Sequence, residues 1–372
     1  MYDEDTRAEG VLKTLARDAT RGGFQVHVSE GTEVQRAQDV AEALIQRLKL
    51  FQRLDDWARL SLRDGDSFLE LSVDEAGLVQ EVTRKPTLEM HRNSNDRDQF
   101  EDATRAFWWA DGVWMGQEAP RDATWFAKWQ IIHGRWSHDK ESRYGRPLFA
   151  SARGPWKRVR EGELDLAVRR KTRAGMKYLH TLDGADSTAV EQYKEDNKDA
   201  LNDPFAAVAD FFTNNKASIQ AIQGDARLGE IADVVHHIRT WWVASPVPMS
   251  LLGYGQDLNR DVLGEQKEQY VETLPGVSDW VGNQFVVPLL ERQWLLQGIW
   301  PKGMTYKVTW AVKQVLTAER LLKLAQALTA MQATTLFDSE TLIRIAARIV
   351  PGLDVEALLL AMEKARADRP YY

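Results

Sequence analysis

Histidine, cysteine and paired carboxylates are the side chains that most readily hold metals or move protons, and this chain uses them in a particular way. It has seven histidines and no cysteine, which removes disulfides, thiolate metal sites and a thiol nucleophile. His236 and His237 are adjacent, so on a helix they point in different directions, and a zinc site is not expected there. Acids are frequent in polar, turn-like stretches, among them Asp64, Asp66, Asp96, Asp98, Glu101 and Asp102, and weak surface capture of a divalent ion is the chemistry available to the cluster Asp96, Asp98, Glu101 and Asp102. A general acid and base would have to be assembled from distant segments. The sequence contains no G-x-x-x-x-G-K-[ST] or G-x-G-x-x-G phosphate cradle, and no H-E-x-x-H, G-x-S-x-G or zinc-deaminase pattern. The expectation is a protein that is not an enzyme, with no catalytic residue, cofactor or metal site.

Charge at a telling spacing lies elsewhere. Lys157, Arg158 and Arg160 open a basic run that Arg169, Arg170, Lys171 and Arg173 close, with Glu161, Glu163 and Asp165 between the two groups. Such banding suits either a solvated helix with local ion pairs or a limb that meets another subunit or a passing polyanion. The formal net charge of the chain is -7. Bulk phosphate neutralisation is therefore excluded as a way of wrapping DNA, and any nucleic-acid role must use local patches or hold the duplex loosely.

The elements that position these residues follow from periodicity. Thr32 is placed to cap a helix carrying Val34, Ala37, Val40, Ala41, Leu44, Ile45 and Leu48, and the first 60 residues read as helical. Between Ser61 and Glu89 a period near two predicts two or three antiparallel strands with turns at Asp64-Gly65 and Glu75-Ala76-Gly77. The tryptophans from Trp108 to Trp129 fill either a mixed α/β core or the contact between copies. Gly154-Pro155 opens a helix through the basic run. After it come a strand over Met176 to Leu182, a short helix with a capping box at Thr188 and Glu191, an apolar helix over Phe205 to Phe212, and a strand over Ser218 to Ile222. Ile231, Val234, Val235, Ile238, Trp241 and Trp242 make the stripe of a second long helix. A helical region from about Asp261 to Gln297 breaks near Pro275-Gly276, a strand covers Thr305 to Thr309, and the tail from Thr317 is a small helical bundle. With 372 residues the chain has room for two or three domains. It lacks a run of 18 or more apolar residues, and its acidic start lacks a secretory pattern, so an intracellular protein with no membrane partner is expected.

In order along the chain, Asp64-Gly65-Asp66-Ser67-Phe68-Leu69-Glu70, Tyr144-Gly145-Arg146-Pro147-Leu148, the stretch Trp156 to Arg173, Pro246-Val247-Pro248, Leu251-Leu252-Gly253 and Asn259-Arg260 resemble the portal proteins of tailed bacteriophages. The resemblance covers roughly Ala37 to Gln297 and rests on the order of short motifs. It implies an α+β portal-type fold: a mixed α/β wing, long stem helices, a small α/β clip and a helical crown. On this sequence the N-terminal segment would be 1–24, the wing 25–145 and 246–310, the stem helices 146–172 and 229–245, the clip 173–228 and the crown 311–372. The crown is short for the family. The resemblance further implies a ring of about twelve subunits at a capsid vertex, through which double-stranded DNA is packaged and ejected. Partners would be the terminase large subunit, a major capsid or scaffolding protein, and a head-completion or adaptor protein, with assembly in the host cytoplasm and residence in the virion. The family's tunnel loop falls on Gly253 to Arg260, so Gln256, Asp257, Asn259 and Arg260 would face DNA; a surface turn capping the next helix is the plainer reading, and Leu274 to Val277 is a competing constriction. Arg169, Arg170, Lys171 and Arg173 would sit where stem passes into clip. A scaffold or adaptor that threads no DNA is the alternative function.

Overall fold

The structure, a computed structural model, describes residues 4–31, 33–114, 117–139, 142–173, 177–181, 186–196, 211–213, 220–222, 231–255, 259–311, 325–331 and 341–342. The chain divides into two compact units, one of residues 10–146 with 250–372 and one of residues 1–9 with 147–249.

The larger unit opens with α1 (Thr6–Thr20, its first residues in the other unit), β1 (Phe24–Glu30), α2 (Val34–Leu48) and α3 (Leu50–Asp64). α2 buries Ala37, Ala41, Leu44, Ile45 and Leu48, the stripe expected from spacings of three and four, while Thr32 lies outside the described residues. Lys49, at φ 50°, breaks the backbone between α2 and α3. Asp64-Gly65 is not a hairpin turn: Gly65, at φ 87°, ends α3, and its N–H closes on the Ser61 carbonyl. β1 departs from the all-helical reading of the first 60 residues. Its register from Phe24↔Trp310 to Val28↔Tyr306 shows why, since the partner strand is remote in sequence.

β2 (Asp66–Val73) and β3 (Val79–Lys85) form the antiparallel pair that the alternation predicts. β4 (Met90–Arg92), β5 (Phe107–Trp109) and β6 (Thr124–Phe126) make a second sheet, and β7 (Ile131–Arg135) joins the free edge of β2. Phe68, Met90, Ala106, Phe107, Phe126 and Ile131 fill the core between these sheets. The aromatic segment therefore divides: Phe107 and Trp108 are core, whereas Trp114 and Trp129 are 61 % and 47 % exposed.

The second unit holds α4 (Arg153–Arg173), β8 (Lys177–Thr181), α5 (Ser187–Asp196), β9 (Phe211–Thr213), β10 (Gln220–Ile222) and α6 (Ile231–Trp242). β8 lies between β10, antiparallel, and β9, parallel. Phe212 is thus in a strand rather than the expected helix, whose residues 205–210 lie outside the described set. At α5 the Asp186 carboxylate accepts the Ala189 N–H at 2.8 Å, so Asp186 takes the capping role expected of Thr188.

Back in the larger unit, α7 (Arg260–Val281) runs through Pro275 unbroken. Tyr270, Val277, Ser278 and Val281 are buried and Ser278 Oγ donates to the Ala19 carbonyl of α1 at 2.7 Å, so packing holds the helix across the bond that the proline lacks. The irregularity comes later, as a π-helical turn at Gly282–Val286 before α8 (Val287–Leu296). Trp294 on α8 is fully buried and its indole N–H donates to the Ala37 carbonyl at 2.9 Å. β11 (Thr305–Trp310) then closes on β1. Of the expected helical tail, residues 325–331 are helical and most of the remainder lies outside the described residues. No described helix is long and apolar enough to cross a membrane.

Candidate nucleic-acid interface

Two packed helices carry the basic run. α4 and α6 meet through Val159, Val234 and Ile238, all buried, and approach closely at Gly162, where an added Cβ would stand 3.0 Å from Val234 Cγ2. At the end of α6, Trp241 stacks on Phe149 with ring centroids 5.0 Å apart. The Trp242 indole N–H donates to the Val247 carbonyl at 2.6 Å, and Ser245 Oγ accepts the Val247 N–H at 3.0 Å. Pro246-Val247-Pro248 is thereby a fixed corner with Val247 fully buried, which explains why two prolines follow a helix that must end there.

Residues at the chain's acidic start brace α4. Asp5 accepts from the Trp156 indole (2.9 Å) and from Arg7 Nε (2.8 Å), and Arg7 holds Glu163 through two nitrogens at 2.8 and 3.1 Å. Burial alone would raise the Asp5 pKa, but the bonds from Arg7 and Trp156 outweigh it and the carboxyl sits below its usual range. Arg7 is correspondingly pushed up: burial works against its charge, and Asp5 and Glu163 overcome it. Sequence reading missed this brace because Glu163 lies 156 residues from Arg7 and nothing in either segment signals the other.

Of the basic run, Lys157, Arg158 and Arg160 are exposed on the first turns of α4. Arg160 donates to the Glu4 carbonyl at 3.2 Å and stands 3.9 Å from the Glu4 carboxylate, a partner 156 residues away, while Arg158 borders a cleft that also contains Asp165, Asp233 and His237. Arg169, Arg170, Lys171 and Arg173 belong to the last turns of α4, and their side chains lie outside the described residues.

A 3₁₀ turn at Met249–Leu252 leads into the loop expected at Gly253 to Arg260. Ser250 Oγ donates to Gln266 Oε1 at 2.8 Å, tying the start of the loop to α7. Asn259 and Arg260 are exposed at the start of α7, where the Asn259 carbonyl accepts the Leu263 N–H at 3.0 Å and its side chain makes no cap. Gln256 and Asp257 lie outside the described residues. The structure thus brings Asn259 and Arg260 together at one helix start, and Lys157, Arg158 and Arg160 together on one helix in the other unit. Among the described residues no group of three or more histidine, aspartate or glutamate side chains is placed to hold a metal ion.

No protein-family model and no curated protein sequence matches the chain. Solved structures do. A chain in the virion of a native gene transfer agent particle aligns over 93 % of this chain and 89 % of its own, with a TM-score of 0.57 and 14 % identity. A chain in the neck of the native particle, computed with C12 symmetry, gives 0.53 at 14 % identity over the same shares. One in the neck of the empty particle, computed with C6 symmetry, gives 0.54 at 15 % identity over 95 % and 91 %. Fold is therefore shared along nearly the whole length at identities where sequence comparison is silent. The class is an α+β fold shared with these gene transfer agent chains, with long helices joined through Arg260–Val281, the π turn and Val287–Leu296, in keeping with the architecture expected from the motif order.

Proposed function

We propose that this chain is the subunit of a portal ring, in which about 12 copies surround a channel that passes double-stranded DNA during packaging and ejection at one capsid vertex. The observation that carries the reading is the shared fold over 93 % of the chain with a component of a gene transfer agent neck computed with C12 symmetry. In this reading the wing is 25–145 with 246–310, the stems are 146–172 and 229–245, the clip is 173–228 and the crown is 311–372. Exposed apolar side chains on the stems support it. Leu164 and Val168, one turn apart on α4, are 64 % and 51 % exposed, and Val243 just beyond α6 is 84 % exposed. In a ring each copy would cover these through a heterologous contact.

Gln256, Asp257, Asn259 and Arg260 would then face the DNA. Lys157, Arg158 and Arg160 would meet the acidic band of a neighbouring stem, and Arg169, Arg170, Lys171 and Arg173 would meet DNA or the packaging motor. Energy would come from the terminase large subunit; a capsid or scaffolding protein and a head-completion adaptor would complete the vertex. A net charge of -7 suits a conduit, because strong phosphate neutralisation would arrest the duplex. Solution mass together with negatively stained images tests the proposal. A ring near twelve copies with an axial hole is expected, a monodisperse monomer at micromolar concentration across a range of salt would reject it, and an assembly without a hole would favour the scaffold reading.

A further inference from the structure

We infer that a cationic cavity in the larger unit binds a small oxyanion, a phosphate monoester or a carboxylate, carried on an apolar body. The cavity is an open cleft of about 460 Å³, and its walls include Arg92, Lys128 and Arg292 against one carboxylate, Asp98.

That carboxylate is already committed. Asp98 accepts from Arg92 Nε and from Arg135 Nη1, so two guanidinium groups share it. Burial disfavours its charge, yet these bonds prevail and hold its pKa at about 2. Arg292 has no acid within the lining; its neighbour Glu291 lies outside it and supports the Arg292 charge less than burial disfavours it. The Arg292 nitrogens donate to the carbonyls of Trp129 (2.9 Å), Pro288 (2.9 Å) and Ile131 (3.0 Å), which orient the guanidinium without cancelling its charge. Lys128 stands on the exposed rim with its ammonium 5.7 Å from the centre of the Phe100 ring, and Arg92 lies 4.2 Å over the same ring. His133 adds no positive charge, because burial keeps its imidazole neutral and its Nε2 is engaged with Asp66 at 2.8 Å.

The wall opposite β7 supplies an independent pointer. Asn283 and Gln284 in the cavity lining come from the π-helical turn, a local distortion that recurs where side chains must be redirected to a site. Gln284 Oε1 accepts the Arg135 N–H at 3.1 Å, which fixes that side chain, and the Asn283 amide is a further polar partner in the lining. A cation would be repelled by the charge surplus, and a plain hydrocarbon would leave it unbalanced. An oxyanion gains charge-assisted hydrogen bonds from Arg92 and Lys128, and an apolar body gains contact with Phe100 and Ile132.

The site needs no second copy of the chain, so its test is separate from ring formation. Full-length protein is titrated calorimetrically at low ionic strength with phenyl phosphate, phenylacetate, inorganic phosphate and benzyl alcohol. At least one aromatic anion is expected to bind, benzyl alcohol is not, and inorganic phosphate should be about tenfold weaker than phenyl phosphate. The stronger of the two aromatic anions identifies the oxyanion. Lys128→Ala changes an exposed side chain and should fold normally, with affinity reduced about fivefold and recovered by Lys128→Arg. Absence of heat from both aromatic anions at millimolar concentration overturns the site. So does binding that Lys128→Ala leaves unchanged, and equal affinity for phosphate and phenyl phosphate refutes the apolar body.

Discussion

His133 and Gln293 are polar side chains in the interior of the larger unit, and each has consequences that single substitutions read out. Burial lowers the His133 pKa from the usual imidazole range to about 4, and its bond to Asp66 only partly offsets this. Below pH about 6.5 the unfolded chain therefore takes up a proton that the folded chain refuses. Stability is full above that pH and falls as pH drops toward 4, by about 3 kcal/mol. His133→Gln places an amide N–H near the position of Nε2, keeps a donor for Asp66 and removes the titration, so urea midpoints measured from pH 7 to 4.5 should fall less steeply than in the wild type; equal slopes would refute the assignment. Gln293 is fully buried, accepts from the Val79 N–H (2.9 Å) and Arg47 (3.0 Å), and donates to the Gly77 carbonyl (3.0 Å). Gln293→Leu strands those groups and should cost about 2–4 kcal/mol in urea denaturation, whereas a change below about 0.5 kcal/mol would remove the clamp from the account. Neither residue was legible in the sequence. Their partners lie 67 and 214 residues away, and local spacing carries no trace of such pairs.

Elements were legible where their information is local. The α2 stripe, the β2–β3 hairpin and the α6 stripe follow from period and turn chemistry, and the structure has each of them. Missed features depend on remote partners: β1 needs β11, β7 needs β2, and the helix through Pro275 needs its packing and the Ser278 bond to Ala19. The π turn belongs to this group, because Phe285 at its centre packs on Trp57 and Trp280 with centroids at 6.1 and 5.6 Å. Gly134 in β7 is the complementary surface, since a Cβ there would overlap the Phe285 ring. Gly134→Ala should therefore destabilise the protein by about 1–3 kcal/mol through overpacking. Pairing it with Phe285→Leu makes room and should recover part of that loss; a double mutant no better than the sum of the two single changes would show that the strand and the turn do not press on each other.

For the whole molecule, the proposed conduit separates assembly from passage. The start of the loop is held to α7 by Ser250 and Gln266, and the resumption of the helix is fixed by the Asn259 to Leu263 bond, so neither anchor uses residues 256–258. Leu164, Val168 and Val243 offer a neighbour apolar area outside the loop. Two kinds of variant should then part company. Deleting 256–258 should leave ring size in solution unchanged while lowering the yield of DNA-filled particles when the variant replaces the wild type in a packaging assay. Leu164→Glu with Val168→Glu should instead release monomers, because buried like charges at a repeated contact are costly in every subunit. Rings that survive the double glutamate change would place the subunit contact away from α4, and full packaging by the deletion variant would remove the loop from the path of the DNA.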